Sequence, residues 1–142
     1  MLDALDIAKY FLTLADDEDP LTNLKLQKLL YYAQGFYIAV TGKPLYNDTL
    51  EKWHHGPVVP TVYHAYKSNG AGTIPRPQDF VPSIIDVNTR ELLDEVYKVY
   101  GQYAAWTLRG FTHLEPPWRD AKDGCEITIE SLKRYFKTRL KK

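Results

Sequence analysis

At 142 residues, with 44% apolar and 25% charged side chains, the chain has the composition of one folded domain that can bury a core unaided, which excludes disorder and a coiled coil. Its 18 basic and 18 acidic residues cancel, so bulk charge names no partner, and a single cysteine, Cys125, excludes an intramolecular disulfide. The first residues carry acids instead of the basic start and apolar run of a signal peptide, and no stretch approaches the roughly 18 apolar residues of a membrane span, so a cytoplasmic protein is expected.

In chain order, Ala4, Leu5, Ala8, Phe11, Leu12 and Ala15 step by three and four, predicting an amphipathic helix. The acidic run Asp16 to Asp19 and Pro20 end it in a solvated loop. Thr22 caps a second helix with a buried stripe at Leu26, Leu29, Leu30, Ala33, Phe36, Tyr37 and Val40, and Gly42 stops it. Lys43 to Asp48 reads as a turn and Leu50 to Trp53 as a short strand. After the break at Gly56-Pro57, a third helix is expected over Val58 to Lys67, closed by Ser68-Asn69-Gly70.

The segment Gly70 to Val87, with Pro75, Pro77 and Pro82, is the least regular, with room for a second short β element near 73–75. Asn88 and Glu91 resemble a capping box for a fourth helix whose stripe runs Leu92, Leu93, Val96, Val99, Tyr100 and Tyr103. A fifth helix spans Ala104 to Leu114 before Glu115-Pro116-Pro117, and Trp118 to Lys122 adds one short turn. The last helix starts near Thr128, with Ile129, Leu132, Tyr135, Phe136 and Leu140 on its apolar face and Lys133, Arg134, Lys137, Arg139, Lys141 and Lys142 on the rest. The expected fold is mainly α, a compact single-domain bundle of about six helices with one or two short β elements near 50–53 and 73–75.

Little catalytic chemistry is legible. His54 and His55 are adjacent and point different ways, and no HxxxH or CxxC spacing occurs, so no metal is expected. Cys125 sits among Asp123 and Glu126, acids that disfavour a thiolate. No glycine pattern of a phosphate-binding loop is present, so no nucleotide cofactor is expected. An unrecognised hydrolase or transferase would use His113, Glu115 or His54; against that, His113 reads as a helix-end residue packed under Trp118. The basic C-terminus suits nucleic acid or an acidic protein surface, but a solvated helix face accounts for it more simply, and nucleic acid is not the expected partner.

The aromatic load is high: 11 tyrosines, five phenylalanines and three tryptophans, 13% of the chain. Such side chains serve half-buried cores and protein interfaces alike. Tyr31 and Tyr32 are neighbours on the second helix, so one is expected inward and the other at a boundary, and Tyr63 and Tyr66 repeat the problem on the third. Two aromatic-edged helices flanking the Trp53 to Pro57 turn form either a docking surface or a satellite core.

The run Leu21-Thr22-Asn23-Leu24-Lys25-Leu26-Gln27-Lys28-Leu29-Leu30-Tyr31-Tyr32-Ala33-Gln34-Gly35 resembles the signature helix of the Panacea domain, the SocA-like antitoxin family. Trp53-His54-His55-Gly56-Pro57-Val58-Val59-Pro60 with Tyr63 is similar to its tryptophan and Gly-Pro-Val segment, and Thr112-His113, Pro117-Trp118 and Ala121 to a third block. Phe36 stands where a tryptophan is frequent, and the loop after Gly70 matches little. The resemblance implies a helical fold with small β elements and a non-enzymatic antitoxin, often carried by bacteria or their phages, that binds a cognate protein toxin; in one branch it also delivers that toxin to a protease. Some relatives carry an extra N-terminal DNA-binding domain, which is not expected here. The neighbourhood that would meet a toxin is Lys28, Tyr31, Trp53, His54, Tyr63 and Tyr66, each of which equally serves the fold.

Overall fold

The computed structural model describes residues 2–140. Among them are seven α-helices and a three-stranded antiparallel sheet. Lys141 and Lys142, expected on the last basic face, lie outside the described residues. Helix α1, Ala4–Leu14, opens on a capping box in which the Asp3 carboxylate accepts from the Asp6 N–H at 3.0 Å and the Asp6 carboxylate accepts from the Asp3 N–H at 3.3 Å.

Helix α2, Asn23–Thr41, starts on the Thr22 hydroxyl and ends at Gly42, whose φ of 79° is the left-handed closure expected there. It is the central element, with α1, α3, α4, α5, α7 and the sheet packed around it, so its polar residues are buried too. All of them but Lys28 pin a neighbouring piece of backbone. Gln27 Oε1 accepts from the Val59 N–H at 2.8 Å, and the Gln34 amide takes the Leu45 N–H at 2.7 Å and donates to the Tyr46 carbonyl at 2.8 Å. Lys25 Nζ donates to the Gly101 carbonyl at 2.6 Å, a cation at the C-terminal end of α4. The expectation that one of Tyr31 and Tyr32 sits at a boundary is overturned, since both are fully buried. Tyr31 meets the Phe136 ring edge-on at 5.4 Å, and Tyr32 stacks on Tyr100 at 3.8 Å. Val40, placed on the buried stripe, is instead 60% exposed.

Strand β1, Leu50–Trp53, lies between β2, Gly56–Val58, and β3, Glu126–Ile127, antiparallel to both. The third helix therefore begins later than expected. Residues 56–58 pair with β1, and α3, Pro60–Tyr66, starts with proline in its first turn, where a missing N–H costs nothing. Pro57 is tolerated because β2 is an edge strand. No strand forms at 73–75; Thr73 makes one isolated bridge to Thr22, and the Ile74 N–H donates to the Leu21 carbonyl at 2.8 Å. The rest of the irregular segment is anchored by Arg76, whose guanidinium donates to the Ala15 carbonyl, and by buried Ile85.

Helix α4, Val87–Tyr100, is capped by Asp86 and not by Asn88: its carboxylate accepts from the Thr89 N–H at 3.1 Å and the Thr89 hydroxyl at 2.7 Å. It stops before Tyr103, which leaves the helix yet meets Phe111 edge-on at 5.0 Å. Helix α5, Ala105–His113, leads into the short α6, Pro116–Arg119, which replaces the turn expected over 118–122 because its two prolines suit a first helical turn. Helix α7, Ile129–Lys137, ends before Leu140 and lays Phe136 against α2. No helix among the described residues is long and apolar enough to cross a membrane.

Candidate protein-binding face

The β1–β2 hairpin turns at His54-His55, which pushes both imidazoles into solvent with their rings 4.8 Å apart. Trp53, the last residue of β1, is half-buried: its indole N–H donates to Glu51 Oε1 at 3.0 Å, and Tyr63 of α3 meets its ring edge-on at 4.9 Å. Its carbonyl accepts from the Trp118 indole at 3.0 Å, which ties the hairpin to α6. On α5, Arg109 Nε donates to His55 Nδ1 at 3.2 Å while its guanidinium lies 4.6 Å over the Trp106 ring, a cation–π contact. Trp106 is 62% exposed, a large apolar surface held up by these two neighbours.

Beneath the turn lies Lys28. Gly56 has a φ of 124°, and a Cβ there would stand 2.5 Å from Lys28 Cε and 3.1 Å from the Thr112 hydroxyl, so only glycine lets the hairpin close over the lysine stem. Lys28 is fully buried and its amine reaches the Leu24 carbonyl only at 3.4 Å. Burial first, and then the Arg109 charge, bring its pKa down to about 7. His113 stacks on Trp118 at 3.8 Å, with its Nε2 buried and unpaired. Burial, Arg109 and Lys28 hold this imidazole below its ordinary value, and lost hydration with the charges of His54 and Arg109 does the same for His55. Lys52 Nζ lies 4.3 Å over the Trp118 ring, donating to the Arg119 and Ala121 carbonyls.

Trp53 and His54 form a ridge between two clefts. One, about 500 Å³, is walled by Asn23, Tyr63, Ala105 and Trp106 and is mostly apolar. The other, about 690 Å³, is walled by Lys52, Arg109, His113 and Trp118, with Asp123 at its edge beside Lys52. Of the residues singled out from the sequence, Trp53, His54 and Tyr63 meet here. Lys28 and Tyr31 lie wholly inside, Lys28 under the turn and Tyr31 with its hydroxyl on Glu115 at 2.9 Å. Tyr66 is half-buried against the core and lines neither cleft. His113 and Glu115 do not form an acid–base pair: the Glu115 carboxylate accepts from the Tyr31 and Tyr32 hydroxyls at 2.9 Å each, while His113 faces Trp118. Sequence reasoning passed over Trp106 and Arg109, although their i, i+3 spacing on a predicted helix was a signal for a stacked pair.

The profile of the SocA-like antitoxins with the Panacea domain matches residues 26–119, the stretch from α2 to α6 that builds this turn and most of both clefts. The chain belongs to that family. Its similarity to Antitoxin SocA of Caulobacter vibrioides (strain NA1000 / CB15N) is 44% identity over 70 residues, covering 49% of the chain and 37% of that relative. No solved structure matches. The Panacea match leaves out α7, yet Phe136 of that helix packs on the matched α2. Much of the Panacea signature in α2 is structural here, since Asn23, Lys25, Gln27, Lys28 and Gln34 are all buried, whereas the Trp53 segment is the part that reaches solvent.

Proposed function

We propose that this chain is an antitoxin that neutralises a cognate protein toxin by direct docking on the hairpin face, with no catalytic step of its own. The observation that carries the reading is the exposed Trp106, stacked by Arg109 and set beside the half-buried Trp53 and Tyr63. Exposed aromatic and arginine side chains around a shaped cleft are the usual anchors of a protein interface. Family membership supports the same reading, and the single unpaired cysteine is in keeping with a cytoplasmic pair.

The test is co-expression with the product of the neighbouring gene, scoring growth and co-purification through a tag on this chain. Rescue by the native chain, lost on Trp106→Ala with the fold intact, is the expected result; a toxic neighbour that is neither bound nor rescued removes the reading for that neighbour. Masking and delivery to a protease separate in the same cells, because only delivery shortens the toxin's lifetime.

A further inference from the structure

Taking the hairpin face as the one that meets the toxin, we infer that it receives an acidic segment of the partner, with an apolar side chain entering the Trp53–Tyr63–Trp106 cleft and a nearby carboxylate crossing the Trp53–His54 ridge to Arg109. Two permanent cations, Lys52 and Arg109, flank the turn. The acids at hand leave only Arg109 without one: Glu51 accepts from the Trp53 indole, and Asp123, which lines the same cleft, pairs with Lys52 at 3.8 Å. Among the described residues Arg109 has no carboxylate partner, its Nε going to His55 and its plane to Trp106.

Covering such a cation with a protein surface strands it unless the partner brings an anion, and removing one member of a buried charge pair is costly. A basic or neutral segment would add repulsion or an unmet charge, so the cluster discriminates as well as attracts. Arg109 is a lone guanidinium with Nε occupied, which suits one carboxylate; a nucleic acid backbone asks for a row of cations along a groove.

The experiment pans phage-displayed random peptides, about 12 residues long, on the immobilised full chain, then measures the selected peptide against Arg109→Glu and Trp106→Ala, both of which change side chains that reach solvent and are checked for folding by circular dichroism. Expected are peptides with Asp or Glu within a few residues of an aromatic or leucine, whose affinity falls at least about tenfold on either variant. Peptides that are basic or uncharged, no selected peptide at all, or equal binding to Arg109→Glu overturn the inference. So does a labelled single-stranded oligonucleotide that displaces the peptide and binds more tightly. The two readings part cleanly. Toxin rescue that survives both variants keeps the antitoxin and removes this face, whereas acidic peptides without toxin rescue keep the acidic-segment site and remove the antitoxin.

Discussion

Gly35 of α2 and Phe136 of α7 meet so closely that a Cβ on the glycine would stand 2.2 Å from two carbons of the ring. Phe136 is fully buried and held edge-on by Tyr31 at 5.4 Å and Phe36 at 4.9 Å, so the ring cannot swing away. Gly35→Ala gains helix propensity worth about 1 kcal/mol, but the forced shift of a packed ring costs about 1–3 kcal/mol. A net loss of stability is expected in urea unfolding, larger for Gly35→Val. Phe136→Leu in the Gly35→Ala background should return part of it, a non-additive cycle that an unrelated cause of destabilisation would not produce.

Glu115 ties α6 to α2 through the Tyr31 and Tyr32 hydroxyls. Glu115→Ala leaves two buried hydroxyls unmet, at about 1–3 kcal/mol each if water does not reach them, whereas Tyr31→Phe removes a donor and costs about 0.5–1.5 kcal/mol. The expected order in chemical denaturation is therefore Glu115→Ala well below Tyr31→Phe.

The same carboxyl sets a pH slope. Burial raises its pKa in the folded chain above 4.5, against which the tyrosine hydrogen bonds and Arg139 work. The folded state then holds the proton more firmly than the unfolded one, so this group's penalty is absent below about pH 4.5 and grows as pH rises through the raised value. Glu115→Gln removes that contribution. Its stability relative to the native chain should improve from pH 4 to pH 8, and a difference that stays flat across that range would show that Glu115 is not the titrating group.

Lys28 works with the opposite sign. Its folded pKa of about 7 against 10.5 unfolded means the unfolded chain binds more protons between those values, so this group's contribution to stability rises with pH across that window and is lowest below about pH 7. The rise amounts to at most about 5 kcal/mol. Lys28→Met, which keeps the stem under Gly56 and drops the amine, should raise the denaturation midpoint at pH 7 and flatten the profile between pH 7 and 10.

Gly56→Ala should be the most disruptive single methyl near the turn, because it combines a left-handed φ of 124° with a Cβ 2.5 Å from Lys28 Cε. The strained backbone alone costs about 1–3 kcal/mol. Gly56→Ala in the Lys28→Ala background separates the two: recovery of stability there would assign the loss to the clash, and persistence of the full loss to φ.

The local code was read well where one face of a helix is buried. The period of three and four located α1, α4, α5 and α7 to within a few residues, Thr22 and Gly42 bounded α2 as caps, and the family-like blocks marked the turn at Trp53. What periodicity could not see was α2 with every face covered: a stripe implies a wet side, and here that side is occupied by α4, α5 and α7, so both tyrosines and both lysines, Lys25 and Lys28, went inside. The sheet was half-hidden for a related reason. Strands of two to four residues carry almost no pattern, and β3 joins β1 only because the chain returns from residue 50 to residue 127. The hairpin face depended on the same return, since Arg109 reaches His55 across 54 residues and Trp106 is exposed by where α5 ends up, not by its neighbours in sequence. The sequence by itself determined which segments are helical and which turn is aromatic, because those depend on residues three or four apart. Tertiary packing decided which side chains are buried and which cations lack an acid, because burial and unmet charge depend on neighbours the chain brings from far away.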